Sequence, residues 1–363
     1  MERNSILRPA LIAAVCILAV SGHSLAQKKK KEEVTQTLQI PKDLPATVAG
    51  DPRHFTFHTT PLSGKGLLSP QIRDALKALS HEAGGSSIAH IRAFVAGSGD
   101  LRRVRDLVSE HFADHKQPLP ALSLIRAGGL PVEGAQVVLE AIAMNKKDVN
   151  PNGLVFVPAA AITSENALDP VAPLVKESLD KLRQTLKDAG SATSDVLRVT
   201  CFVSTLENLA ESRKLVEAEY PRAALDYIQT QRAPARAVGA CEAIARLTWN
   251  TGKKVHFVPD SGEHRAALIA APQVVLTGTQ MSYGYQEADS RLAFERLVKS
   301  LEGAGVTGKD VAYTGYYPLA EPLAAQVRKL RTGFFPIAAA SIVTFEGLPS
   351  MDAGFAIDAV AVK

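Results

Sequence analysis

Val138-Leu139-Glu140-Ala141-Ile142-Ala143 returns twice in altered form, as Ala240-Cys241-Glu242-Ala243-Ile244-Ala245 and as Ala356-Ile357-Asp358-Ala359-Val360-Ala361. Each copy sets one acid in an apolar run and follows it with Ala-Ile-Ala or Ala-Val-Ala. The copies stand roughly a hundred residues apart, too far for a solenoid repeat and right for a small domain. A carboxylate in so apolar a run must find a partner once the run is buried. The three stretches thus set the number of domains and the first question about chemistry.

Upstream of each copy the same series of elements recurs. A strand of β-branched and apolar residues comes first, at 55–62, 154–162 and 274–281. An amphipathic helix follows, its buried face marked by Ile72, Leu76 and Leu79, by Leu174, Leu179, Leu182 and Leu186, and by Leu292, Leu297 and Leu301. Glycine closes each helix, at Gly84-Gly85, Gly190 and Gly305. Next come a strand (88–95, 196–203, 311–317) and a second helix that starts near Asp100, Glu207 and Glu321 and ends at Phe112, Tyr220 and Phe335. In that strand Ala93, Cys201 and Gly315 align. A penultimate strand (122–127, 225–230, 340–345) and a turn at Pro131, Pro234 or Pro349 lead into the acid-bearing strand. Extra strands precede the first copy at 34–40 and the third at 254–258, and the second copy lacks one. The pattern predicts an α+β fold: three tandem domains, each a mixed sheet with two helices on one face. The expected boundaries are 34–148, 149–251 and 252–363.

Residues 1–26 read as a secretory signal peptide, with Arg3 and Arg8 before an apolar run at 10–20 and Ser24-Leu25-Ala26 as the cleavage signal. The run is too short to span a bilayer, so the expected address is the periplasm or the cell exterior, with no membrane contact after cleavage. A charged leader at 27–33 follows. The chain of 363 residues carries a formal net charge of +4, and its one basic run, Lys28 to Lys31, is met at once by Glu32-Glu33. This balance argues against a nucleic-acid partner. Cys201 and Cys241 remain after the leader; they read equally as one disulfide or as two buried thiols.

These residues resemble the YjgF or Rid (reactive intermediate deaminase) family, whose older name is endoribonuclease L-PSP and whose fold is chorismate-mutase-like. The family closes on a Pro-Ala-Arg strand, a Leu-Pro turn and a Glu-Ile-Glu-Ala-Ile-Ala strand. Leu130-Pro131 with Glu140-Ala141-Ile142-Ala143 matches the second half of this signature, and the passage from Ala189-Gly190 to Val203 matches the family's middle. Members are usually homotrimers with ligand clefts between subunits, so the resemblance implies a trimer fused into one chain, monomeric in solution. It also implies hydrolysis of imines and enamines such as 2-iminopropanoate and 2-iminobutanoate, with an arginine holding the substrate carboxylate and a glutamate orienting water. Counting back from each proline turn puts that arginine at Leu122, Leu225 and Ala340, and the motif's first glutamate at Val138, Ala240 and Ala356. Pro234-Ala235-Arg236 spells the motif but lies past the turn. The expected activity is therefore lost or altered, and no catalytic residue is assigned. Ribonuclease action, which the older name suggests, fits the charge balance least.

Two sets of residues remain as ligand-binding candidates. Arg105, Arg213 and Arg328 share one position on the second helix, at the border of its buried face. They read either as snorkelling arginines or as guanidinia moved from strand to helix and aimed at a cleft, there to take a small carboxylate. Glu140, Glu242 and Asp358 lie two residues past the lost glutamate, hence on the same sheet face, and serve either structure or ligand. His54 with His58 and His111 with His115 lack a third ligand type nearby, so no metal and no cofactor is expected. The other reading of the whole chain is a pseudoenzyme: a scaffold or partner-binding module.

Overall fold

Three successive units occupy the residues that the computed structural model describes, Pro41–Lys363; the leader at 1–33 and the strand expected at 34–40 lie outside the described residues. The first unit runs β1 (Thr47–Gly50), β2 (Phe55–Thr59), α1 (Leu68–Glu82), β3 (Ser87–Val95), α2 (Leu101–Asp114), β4 (Ala121–Arg126) and β5 (Val137–Met144). The second runs β6 (Leu154–Val157), β7 (Ile162–Ser164), α3 (Val171–Asp188), β8 (Val196–Val203), α4 (Leu209–Glu219), β9 (Ala224–Gln229) and β10 (Ala237–Arg246). The third runs β11 (Val255–Val258), β12 (Ala266–Ile269), β13 (Val274–Thr277), β14 (Gln280–Tyr283), α5 (Glu287–Gly303), β15 (Val311–Pro318), α6 (Glu321–Phe334), β16 (Ala339–Ile342) and β17 (Ala353–Val362). No helix among the described residues is long and apolar enough to cross a membrane.

Each helix forms for the reason its spacing gives. Ile72, Leu76 and Leu79 of α1 are fully buried, and Leu179, Leu182 and Leu186 do the same in α3. In α5 the buried face is Ala293, Phe294, Leu297 and Leu301, and Leu292 points outward. Gly190 and Gly305 adopt φ +74 and φ +79 just past α3 and α5, which lets Ser191 N and Val306 N bond back to Leu186 O and Leu301 O. Phe112 and Phe335, where α2 and α6 end, are buried to 1% and 0%, each worth about 1.5–3 kcal/mol.

Every unit builds its sheet around the acid-bearing strand. In the first, the order is β2-β5-β3-β4, with β3 and β4 parallel across the α2 crossover and the other pairs antiparallel. The second and third repeat this core as β6-β10-β8-β9 and β13-β17-β15-β16. The long first strands of these two units break into two, β6/β7 and β13/β14, both halves pairing with the acid-bearing strand.

The outermost strands depart from the expected boundaries. β11 and β12 were assigned by sequence to the domain 252–363, yet β12 pairs with β6 and extends the second sheet. β1, in the domain 34–148, pairs with β13 and extends the third sheet. A free sheet edge leaves a row of unpaired N–H and C=O groups, and a strand from the next unit satisfies them. The second unit has no such leading strand to lend, and among the described residues the first sheet is accordingly the smallest, with four strands against seven and six.

Helices cover one face of each sheet, giving three separate helix-side cores. The opposite faces of the sheets meet one another. Phe94, Phe202, Tyr317 and Phe345, from all three units, pack in one apolar cluster, and Ile142, Ile244 and Val360 belong to a second. Between these two clusters lies the polar layer that forms the site.

Candidate functional site

Strand alternation sends residues 138, 140 and 142 of β5 to the inner face, and likewise 240, 242 and 244 of β10 and 356, 358 and 360 of β17. The sequence there reads apolar, acid, apolar, so burying the inner faces stacks three acids into one layer. Register then supplies their neighbours. Glu140 lies opposite Arg92, Glu242 opposite Thr200, and Asp358 opposite Gly315. These three pairings correct the alignment of the central strand: Tyr316, not Gly315, matches Ala93 and Cys201. Parallel pairing sets Ser123, Asp226 and Ser341 beside the same three positions.

Arg92 ties the layer together. Its Nε donates to Glu140 Oε2 at 2.6 Å, and its Nη2 donates to Glu242 Oε1 at 2.5 Å and to Thr200 Oγ1 at 3.3 Å. Thr200 donates in turn to Glu140 Oε1. The guanidinium also lies 5.1 Å from the Phe94 ring centroid. Glu242 Oε2 accepts from Ser341 at 2.8 Å and from Tyr313 at 3.0 Å. Asp358 Oδ2 accepts from Ser123 at 2.5 Å and from Tyr317 at 2.9 Å. His90 Nε2 lies 3.1 Å from Ser123 Oγ, within hydrogen-bond distance. Gly315 is fixed by crowding: a Cβ there would lie 2.5 Å from Asp358 Oδ1 and 2.7 Å from the Tyr317 hydroxyl.

The electrostatics divide the acids. Burial works against the charge of Glu140, but Arg198, Arg92 and the Thr200 hydroxyl outweigh it and hold its carboxyl below the usual range. Burial raises Asp358 despite its hydrogen bonds from Ser123 and Tyr317. Burial and the nearby charge of Glu140 push Asp226 well above the usual range, and its Oδ2 is buried without a partner. His90 is driven down to about 3 by burial and by Arg92 and Arg198, so it is neutral.

Asp226 yields a direct test. A carboxyl raised in the fold contributes stability that is fully present below its unfolded value, near 3.8, and lost as pH rises toward the folded value. Asp226→Asn keeps the side chain neutral at every pH. It should therefore melt above the parent at about pH 8 and lose that advantage near pH 4. An equal difference in melting temperature at both pH values would refute the assignment.

The acids Glu140, Glu242 and Asp358 are thus brought together, and the arginines Arg105, Arg213 and Arg328 are not. The latter lie on the outer helices with side chains 53%, 44% and 50% exposed, paired with Asp43, Glu217 and Glu321 at 2.6, 3.7 and 2.8 Å. Arg213 also lies 5.5 Å from the Tyr227 ring centroid and lines an open groove with Pro131 of the first unit. Cys201 and Cys241 stand directly opposite one another and are bonded. The positions read as the lost arginine, Leu122, Leu225 and Ala340, pack against the helix-side cores. Those read as the lost glutamate, Val138, Ala240 and Ala356, are fully buried in the aromatic cluster. Sequence reasoning missed Arg92 and Arg198. The available signal was parity: His90, Arg92 and Phe94 alternate on one face of a strand otherwise apolar, as do Arg198, Thr200 and Phe202.

No protein-family profile matches the chain, and no curated protein does. Solved structures do match, each over part of the chain. One is YyfB of Yersinia pestis, titled a protein of unknown function of the conserved Rid family, with 19% identity and a TM-score of 0.25 over 27% of this chain and 84% of that one. The likeness is to the Rid, or YjgF, family. Rv2704 of Mycobacterium tuberculosis, titled a member of the YjgF/YER057c/UK114 family, matches with 26% identity and a TM-score of 0.24 over 28% of this chain and 87% of that one. Escherichia coli TdcF, solved with bound serine, matches with 20% identity and a TM-score of 0.23 over 25% of this chain and 80% of that one. Each of these matches covers about a quarter of this chain.

Proposed function

We propose that this chain is an exported Rid-like pseudoenzyme, a single-chain counterpart of a trimer that no longer hydrolyses imines. One observation carries the reading: all six positions on which the family's chemistry depends are apolar and packed. Val138, Ala240 and Ala356 sit at 0% exposure among phenylalanine rings, and Leu122, Leu225 and Ala340 pack toward the helices. A substrate carboxylate meets no guanidinium fork there, and an attacking water meets no carboxylate. Fusion of the subunits is supported by the polar layer, to which every unit contributes. Export is supported by the bonded cysteines, which suit an oxidising compartment.

A second reading, binding of small carboxylates in the clefts, is favoured by the place of Arg213 in its groove beside Pro131. Arg105 and Arg328 fit the snorkelling role that their half-exposure describes.

The test is direct. With 2-iminopropanoate generated in situ, ammonia release in the presence of the purified protein should match the rate in buffer. An acceleration of about a hundredfold, the scale of one well-placed acid–base group, would overturn the pseudoenzyme reading.

A further inference from the structure

Among the described residues, the guanidinium of Arg198 makes no hydrogen bond within the polar layer to which it belongs. It is 7% exposed. Its nearest acids are Glu140 at 3.5 Å and Glu242 at 3.9 Å, distances of ion pairing without a hydrogen bond. Its guanidinium carbon is 5.9 Å from the Phe57 ring centroid. Five N–H donors in an interior require acceptors. Arg198 lines a partly open cavity of about 50 Å³ to which all three units contribute, room for roughly four water molecules.

The cavity has two kinds of wall. Arg198, Arg92, Glu242, His90, Tyr313 and Asp358 supply polar groups, and Ile244 and Val360 supply apolar ones. Arg92 spends its Nε and Nη2 on Glu140 and Glu242, whereas Arg198 lies beyond hydrogen-bond contact with both acids, so Arg198 is the guanidinium better placed to receive a ligand. Arg92 and Arg198 stand against Glu140 and Glu242, while burial favours the uncharged forms of Asp226 and Asp358; a single negative charge is the most such an interior would admit, and a dianion would be rejected.

The geometry points to this cavity as a binding site for a short-chain monocarboxylate of about four or five non-hydrogen atoms, held by the Arg198 fork with its aliphatic end against Ile244 and Val360. This does not depend on the loss of imine hydrolysis, and it places a ligand where the three units converge, away from the groove that Arg213 lines. Asp358, raised by burial, also lines the cavity.

Acetate and propionate are the probes, titrated to about 100 mM at constant ionic strength and read by the concentration-dependent rise in melting temperature. Both should stabilise the parent, and sulfate should do no more than chloride. Arg198→Met keeps the stem and removes the fork; Ile244→Phe fills the cavity and leaves every charge in place. Each should weaken the apparent affinity at least about tenfold, as loss of one charge-assisted hydrogen bond implies, and Arg213→Leu should not. No stabilisation of the parent, equal stabilisation by sulfate, or retention of the effect in whichever of the two cavity variants folds would overturn the assignment. A loss confined to Arg213→Leu would place carboxylate binding in the outer groove instead.

Discussion

Arg92→Leu should lower the unfolding free energy by about 3–5 kcal/mol, the scale set by stripping one partner from a buried ionic cluster. The size comes from what stays behind. Glu140 and Glu242 are buried to 0% and 4%, and both lose their closest cation. Arg198 is left at 3.5 and 3.9 Å from them, near enough to attract and too far to hydrogen-bond. The pH dependence has a definite sign. In the parent, burial opposes the charge of Glu140, but Arg198, Arg92 and Thr200 together hold its carboxyl below 4.5. Its contribution is thus present above that value and lost as pH falls through the lower folded one. The gap between parent and variant should be full at neutral pH and close below about pH 4. Adding Glu242→Gln to the leucine variant should restore much of the loss, because it leaves the one remaining guanidinium, Arg198, against the one remaining carboxylate, Glu140, and the amide still accepts from Ser341 and Tyr313. Denaturant unfolding of the three proteins at two pH values decides it. A cost below about 1 kcal/mol, or a cost that the amide leaves untouched, would mean that Arg92 fills space in the layer and does not neutralise it.

The same residues show why the sequence disclosed the architecture more readily than the site. Helix and strand order followed from local signals: spacing of Leu179, Leu182 and Leu186, glycines after helices, and three nearly identical strand endings. Those signals act within one element. The polar layer is different, because its partners come from strands far apart in the chain: Ser123 meets Asp358 and Arg92 meets Glu242. Nothing near Asp358 in sequence announces a serine donor from another unit. The exchange of β1 and β12 between sheets is hidden for the same reason; a strand's pattern says which face is apolar, not whose edge it will cover. The shifted alignment at Gly315 arose because Tyr316 and Tyr317 offer two aromatics where the other copies have one, and only pairing with Asp358 fixes the register. Arg105, Arg213 and Arg328 drew attention by repeating at one position, yet repetition at the border of a buried face is also what a long side chain covering a core edge produces.

Reduction of the Cys201–Cys241 bond should cost about 4 kcal/mol, the loop-closure estimate for a 40-residue separation. The bond joins neighbouring strands β8 and β10, on the face that packs beneath α3. Both cysteines are at 0% exposure, in contact with a core that includes Val175, Leu179 and Leu182. Burial has two consequences. Reductant reaches the bond only when the unit opens, so exchange in the native protein should be slow and should speed up in step with added denaturant. Once reduced, two thiols must occupy space shaped for a bonded pair whose Cα atoms are 4.1 Å apart, so packing adds to the entropic loss. The protein as isolated should show no titratable thiol from these two residues after denaturation without reductant. Denaturant unfolding with and without reductant should differ by the stated amount. Cys201→Ala with Cys241→Ala should fall at or below the reduced parent, since the alanines also remove buried sulfur. Two free thiols in the denatured protein, or reduced and oxidised forms that unfold within about 1 kcal/mol of each other, would show that β8 and β10 are held by their ladder and core alone. A loss of the expected size would make the middle unit the one whose stability tracks the redox state of its compartment, since the first and third units carry alanine or tyrosine at the position of Cys201 and leucine or isoleucine at that of Cys241.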